Sequence, residues 1–292
     1  MTDPTTSARP PSTLRQLGRN IVGDKLTLFF AVILVGVVLI AIFAGTAAGY
    51  DPVEQSLLSM NEAPSAEHWL GTDQFGRDVW ARVVYGSRTS LILGLVGPVL
   101  AALIGTTLGL IGGYLGGWTD RLLGRFVDLL LAFPALLLGI LVAAALSSGF
   151  WSMVAVLTIA FAPRFARIAR ASTLTLRNEP FIEAARAAGL THPHIIFRHL
   201  LPNIAGPVVV VLTLWIATAI RLEATLSFLG LGTQPPEPSW GNIIRDGLSN
   251  MYASVWPIIG AGVAITITVL ALNMIGDAVR DVLDPETRVG NH

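Results

Sequence analysis

The chain predicts an all-α membrane protein of six transmembrane helices with both termini on the cytoplasmic side. Three observations lead there. Of 292 residues, 53% are hydrophobic and only 13% charged, about half the charged share of a soluble domain. The mean hydropathy is +0.65, and the apolar residues gather in uncharged runs long enough to cross a bilayer core of about 30 Å. The basic residues divide unequally between the two sides that those runs define.

The same composition excludes several classes. Net charge is zero and the pI about 7.0, so the chain lacks a basic field for nucleic acid. It has no cysteine, hence no disulfide, thiolate metal site or thiol nucleophile. The polar, basic first 26 residues and the full-length apolar run after them argue against a cleaved signal peptide.

Residues 1–26 read as a cytoplasmic tail, rich in Pro, Ser and Thr, with a short helix over 13–24. Residues 27–48 carry no charge and form the first transmembrane helix. Residues 49–89, polar and holding Pro52 and Pro64, form an external segment. Residues 90–276 form a core of five further spans. The first covers 90–114, where Gly105/Gly109 and Gly109/Gly113 are small-xxx-small pairs that permit close helix approach. General glycine enrichment in such helices is the alternative.

Residues 129–163 are uncharged. As one helix they would measure about 52 Å, more than a bilayer needs. Ser147-Ser148-Gly149 therefore splits them into spans over 127–147 and 151–171. Arg164, Arg167 and Arg170 recur every third residue on the inner end of the second, where they suit lipid headgroups. A polar loop, 172–204, precedes a fifth span over 205–229 that Arg221 and Glu223 interrupt. An external Gly/Pro-rich loop with Trp240, 230–254, leads to a sixth span over 255–276 and a tail over 277–292. Six spans place both ends on one side. Fourteen of the 19 Lys and Arg fall on that side, which makes it cytoplasmic.

The polar loop has a local logic. Pro180 suits a first helical turn, 182–188 is Ala-rich, and Gly189 fits a left-handed helix cap. Thr191 caps a second helix with Pro193 in its first turn, and Pro202 stops it. Such a helix–Gly–helix unit also resembles a DNA-binding helix-turn-helix, but the flanking spans tether it too closely to lipid for a helix to enter a major groove. Protein docking fits better. Exposed alanines let a partner's groove close on the helix, and Glu183 offers one charge for a partner Arg or Lys. A local ion pair from Glu183 to Arg186 is the alternative.

These residues carry a resemblance. Glu183-Ala184-Ala185, then Gly189, then Leu201-Pro202 resemble the EAA loop of binding-protein-dependent ABC importer permeases. His199, where the broad pattern has Ile, and the run Arg198 to Asn203 resemble the dipeptide/oligopeptide/nickel branch. So do His68-Trp69-Leu70-Gly71-Thr72-Asp73 with Gly76-Arg77-Asp78, and Glu223 to Gly232 with Pro235-Pro236 and Ser239-Trp240-Gly241, which look like its C-type subunit. The resemblance implies a type I ABC importer permease fold and a place in the bacterial inner membrane. It implies four partners: a second homologous permease, two cytoplasmic ATPase subunits and an extracytoplasmic substrate-binding protein. In that family the EAA loop is the coupling helix seated on the ATPase, which assigns Glu183, Ala184, Ala185, Gly189, Leu201 and Pro202 to coupling. The implied substrate is a peptide; nickel or another small solute is the alternative, and a membrane-bound enzyme or scaffold a third reading.

No cofactor is expected in this chain. A phosphate loop needs Gly-Lys-Ser/Thr, and the only lysine, Lys25, stands between Asp24 and Leu26. ATP and Mg therefore belong to the partner ATPases. Ser87 lacks the spacing of a nucleophile motif. His192, His194 and His199 read as exposed loop histidines in preference to a metal site. Asp73, Arg77 and Asp78 form either a local turn network or a contact for an external partner. Arg221 and Glu223 are the charges deepest in an apolar run, which makes them and the nearby Phe228 candidates for the substrate path. Arg221 could meet a peptide carboxylate, or simply snorkel to the outer interface while Glu223 caps a helix end. The 230–236 loop suits the lip of an external gate.

Overall fold

The computed structural model describes residues 22–283, and within that range every regular element is helical. The one β feature among the described residues is an isolated antiparallel bridge between Thr72 and Asp78. Most of the expected 13–24 helix, and the tail beyond 283, lie outside the described residues.

Five helices are long and apolar enough to cross a membrane: α1 (Lys25–Ile42), α3 (Val79–Leu115), α6 (Phe150–Leu176), α8 (His192–Phe228) and α10 (Trp256–Leu283). A sixth span arises if α4 (Gly117–Leu131) and α5 (Ala135–Ala145) are taken together. Short helices complete the chain: α2 (Ala44–Ala47), α7 (Pro180–Ala187) and α9 (Trp240–Leu248).

Three boundaries differ from the sequence expectation, each for a local reason. The expected straight span over 127–147 is instead the α4–α5 pair, bent by 96°. Pro134 has no N–H to give and crowds the preceding turn, so the helix ends at Leu131 and restarts at Ala135. Pro202, by contrast, does not end its helix. A π-turn over Ile195–Leu200 precedes it, with Leu201 N–H bonding back to the Ile196 carbonyl, and Asn203 Nδ2 donates to the His199 carbonyl at 2.6 Å. The widened ladder takes up the strain that the ring would impose. The second span begins at Val79, well before the expected residue 90. Asp78 caps it by accepting from Ala81 N–H at 2.6 Å.

α3 and α6 form the centre of the bundle. Their contact runs along the glycines of α3, as the small-xxx-small spacing predicts. A Cβ on Gly105 would lie 2.2 Å from the Ala162 carbonyl oxygen, and one on Gly109 2.4 Å from that of Ala166. The largest apolar cluster joins α3, α6 and α8 through Leu93, Leu157, Phe161, Phe165 and Leu226, all fully buried, and takes in Ala143 of α5. α1 packs against α10 and α3 with most of its surface exposed, as lipid-facing helices do. Arg88 of α3 holds its end, donating to the Ala41 and Ile42 carbonyls at 3.1 and 2.9 Å.

The 230–254 stretch is more than a loop. Ser239 and Asn242 form a reciprocal capping box that starts α9, and Trp240 is buried with its indole N–H donating to the Val83 carbonyl at 3.0 Å. α9 therefore packs back into the end of the bundle opposite α7.

Candidate coupling surface and polar sites

The segment 180–202 folds as its local chemistry dictates. Pro180 opens α7, where its missing N–H removes no intrahelical bond. Gly189 closes it with φ of 74°. Leu190 N–H donates to the Ala185 carbonyl at 3.2 Å and Gly189 N–H to the Arg186 carbonyl at 2.9 Å, the paired bonds of a Schellman cap. Thr191 occupies the next N-cap position, with Pro193 in the first turn of α8.

The inward face of α7 is anchored. Ile182 and Ala185 are buried in a cluster with Leu110 and Tyr114 of α3, Ala169 of α6, and Ile195, Leu200 and Ile204 of α8. Tyr114 Oη lies 3.2 Å from His192 Nδ1, and Arg186 stacks 5.0 Å from the Tyr114 ring centroid. The outward face is bare: Phe181, Glu183, Ala184 and Ala187 are exposed.

The six predicted coupling residues thus divide. Glu183, Ala184, Gly189 and Pro202 are exposed, Leu201 is half-buried, and Ala185 is turned into the core. Ala185 is a correction to the expectation of exposed alanines. At 3.6 residues per turn it follows Ile182 on the buried face. The alternative pairing of Glu183 with Arg186 is not formed. Arg186 is engaged with Tyr114, and Glu183 has no ion pair among the described residues. The three loop histidines do not converge: His192 meets Tyr114, while the His194 and His199 rings face each other at 5.8 Å.

Glu223 is a second correction. It is fully buried, accepting from Ser227 Oγ at 2.7 Å and Ser90 Oγ at 3.1 Å. Ser90 Oγ in turn accepts from Trp240 N–H at 3.3 Å. This chain of bonds joins α8, α3 and α9, and it leaves Glu223 no face toward a path in this conformation. Arg221, two residues earlier, is exposed and donates to Thr218 Oγ1 at 3.2 Å, and Phe228 is half-buried.

Asp73, Arg77 and Asp78 form the turn network, and all three are buried. Arg77 pairs with Asp73 at 2.7 Å, and Asp73 also accepts the backbone N–H of Phe75 and Arg77. Asp78 meets His68 Nδ1 at 2.8 Å besides capping α3. Arg82 and Arg77 reach Asp246 of α9 at 3.4 and 3.5 Å. The cluster therefore pins the 49–78 segment to the bundle, with Asp73, Arg77 and Asp78 buried in it. Sequence reading missed the two residues that complete it, Arg82 and Asp246, which lie 164 positions apart.

The arginines of α6 are likewise not free anchors. Arg170 binds Asp120 through two bonds of 2.5 and 2.7 Å, Arg167 meets Asp128 at 2.8 Å, and Arg164 stacks 4.8 Å from the Trp215 ring centroid. They hold α6 to α4 and α8.

The profile of the family described as binding-protein-dependent transport system inner membrane component matches residues 105–289. A dipeptide transport system permease protein, DppC, of Alkalihalophilus pseudofirmus is 41% identical over 277 residues, covering 95% of this chain and 91% of its own. A glutathione transport system permease protein, GsiD, of Pectobacterium atrosepticum is 44% identical over 229 residues, covering 78% of this chain and 76% of its own. Among solved structures, the MetNI methionine ABC transporter in an inward-facing conformation has a chain similar in fold. Its TM-score is 0.56 at 22% identity, covering 69% of this chain and 96% of that one.

Proposed function

The chain belongs to the family of binding-protein-dependent transport system inner membrane components, and from that membership we propose that it conducts peptides through one half of a paired pore gated through α7. As a family member it is a permease subunit of an ABC importer in the bacterial inner membrane, working with ATPase subunits and a substrate-binding protein. In the finer reading, two cytoplasmic ATPases, which supply ATP and Mg chemistry, dock on this chain and on a second homologous permease. The binding protein delivers dipeptides or oligopeptides from outside. The names of the relatives favour peptides: one transports dipeptides, another glutathione.

The observation that supports coupling is the two-sided seating of α7. Ile182 and Ala185 lock it to α3, α6 and α8, while Glu183 and Ala184 remain open. A push on the open face therefore moves three long helices together and does not merely bend a loop. Glu183, without an ion pair among the described residues, suits a basic residue of the ATPase groove. The bundle end that carries α7 also carries Arg121, Arg125, Arg177 and Arg198, which favours the cytoplasmic side for it. On α8, exposed Arg221 suits the carboxylate of a passing peptide.

The test uses the assembled transporter in proteoliposomes. Glu183→Arg is expected to lower both substrate-stimulated ATPase activity and uptake, and a reversed charge on the ATPase is expected to restore them. Unchanged coupling in Glu183→Arg removes the docking role. Separately, the binding protein is titrated with dipeptides, tripeptides and nickel(II). Binding of nickel alone overturns the peptide assignment and leaves the coupling reading intact.

A further inference from the structure

Beyond α7, the same end of the bundle holds a second feature that coupling does not use. A cleft of about 230 Å³ opens between α3, α4 and α6. Four arginines line it, Arg121, Arg125, Arg167 and Arg170, against two carboxylates, Asp120 and Asp128. The carboxylates are already taken, Asp120 by Arg170 and Asp128 by Arg167. Arg121 donates only to the Gly117 carbonyl, at 3.3 Å, and stacks 5.1 Å from the Trp118 ring centroid. Arg125 has no hydrogen bond, ion pair or ring contact among the described residues. Two positive charges thus border the cleft without an anion.

The helix that carries them is amphipathic. Trp118, Leu122, Phe126 and Leu129 are 52–75% exposed and recur at helical spacing, so they form one apolar stripe on α4. Arg121 and Arg125, one turn apart, run along its edge. The 96° bend after α4 sets this helix across the direction of α5. An exposed apolar stripe edged by arginines suits a helix at the membrane surface, its stripe among acyl chains and its arginines at headgroup level.

We propose that this cleft binds the phosphate of an anionic phospholipid from the leaflet on the α7 side, with Arg121 and Arg125 as the phosphate ligands and the α4 stripe as the seat of the acyl chains. The reading rests on the membrane orientation proposed above and is independent of the coupling role of Glu183. Charge complementarity selects the headgroup: two unpaired guanidiniums suit phosphatidylglycerol and not zwitterionic phosphatidylcholine. The apolar stripe beside them selects a lipid over a soluble phosphate, which has nothing to place there.

The test uses the intact transporter in nanodiscs of mixed phosphatidylglycerol and phosphatidylcholine, with retained lipid measured by native mass spectrometry. Arg121→Gln with Arg125→Gln is expected to cut phosphatidylglycerol retention by about 30-fold, about fivefold per basic residue at an anionic surface, and to leave phosphatidylcholine unchanged. Because both side chains are exposed, the melting temperature should hold; should the double variant fold poorly, Arg125→Gln alone, with about a fivefold loss, serves the same purpose. Wild-type phosphatidylglycerol retention in these variants overturns the proposal. So does displacement of the lipid by inorganic phosphate with the same arginine dependence, which would make the site one for a free anion. A photo-crosslinker at position 125 that captures a partner chain in place of lipid overturns it as well.

Discussion

Ser90 and Glu223 stand 133 positions apart in the chain, yet the Ser90 hydroxyl donates to the Glu223 carboxylate at 3.1 Å inside the bundle. The bond ties α3 to α8, and Trp240 N–H extends it to α9.

Removing that carboxylate should therefore cost stability in preference to transport selectivity. Glu223→Ala leaves the Ser90 and Ser227 hydroxyls without their buried acceptor, a loss of about 1–3 kcal/mol. Thermal melting of the purified transporter should fall, while the KM for peptide uptake by the surviving fraction stays the same. A raised KM with unchanged melting would return Glu223 to the substrate path.

The α3–α6 contact predicts a contrast between two glycines. Gly105→Ala places a methyl 2.2 Å from the Ala162 carbonyl oxygen and should destabilise by about 1–3 kcal/mol. Gly206→Ala meets nothing within 4 Å and should be neutral or stabilising by up to about 1 kcal/mol. Comparing the melting temperatures of the two variants checks this; equal effects would deny the tight helix contact.

At Gly189 the constraint is backbone conformation alone. Its φ is 74°, and no atom lies within 4 Å of a would-be Cβ. Gly189→Ala should cost about 1–2 kcal/mol and loosen the end of α7, and Gly189→Asn should cost less. Hydrogen exchange at residues 185–190 is the sensitive readout, expected to quicken in the order Gly, Asn, Ala.

Asp24 gives α1 a pH-dependent start. The Thr27 hydroxyl, then the N–H groups of Thr27 and Leu26, hydrogen-bond its carboxylate and hold its pKa below the ordinary aspartate range. A depressed carboxylate stabilises the folded form above its unfolded pKa, and that contribution is lost as pH falls through the depressed value. Protection of the first α1 amides, measured against their intrinsic exchange rates, should fall only under acid conditions, and Asp24→Asn should remove that dependence while keeping the cap.

Much of the coupling segment was legible because its signals are local. Pro180 acts through a missing N–H and Gly189 through φ, which neighbours in sequence decide; Thr191 takes the expected N-cap position but its side chain makes no capping hydrogen bond. The start of α3 was legible too, had Asp78 been read as an N-cap, and Ser239 with Asn242 marks the start of α9 in the same way. Prolines were less informative. Pro134 breaks a helix and Pro202 does not, because whether a ring's strain is relieved depends on the turn before it.

Sequence alone was enough for the helical membrane class, the glycine face of α3 and the glycine that closes α7. Each follows from hydropathy, backbone freedom or hydrogen-bond chemistry within a few residues. Which polar groups face inward follows from the packing of distant helices. In sequence, Ala185 reads as an exposed helix alanine, Glu223 as a candidate for the substrate path, and Asp73 and Arg77 as either a turn network or a partner contact. Their burial was set by partners on other helices, Leu110, Ser90 and Asp246, which lie far away along the chain. A side chain's worth as anchor or as contact depends on what packs against it, and in a bundle that neighbour is seldom nearby in sequence.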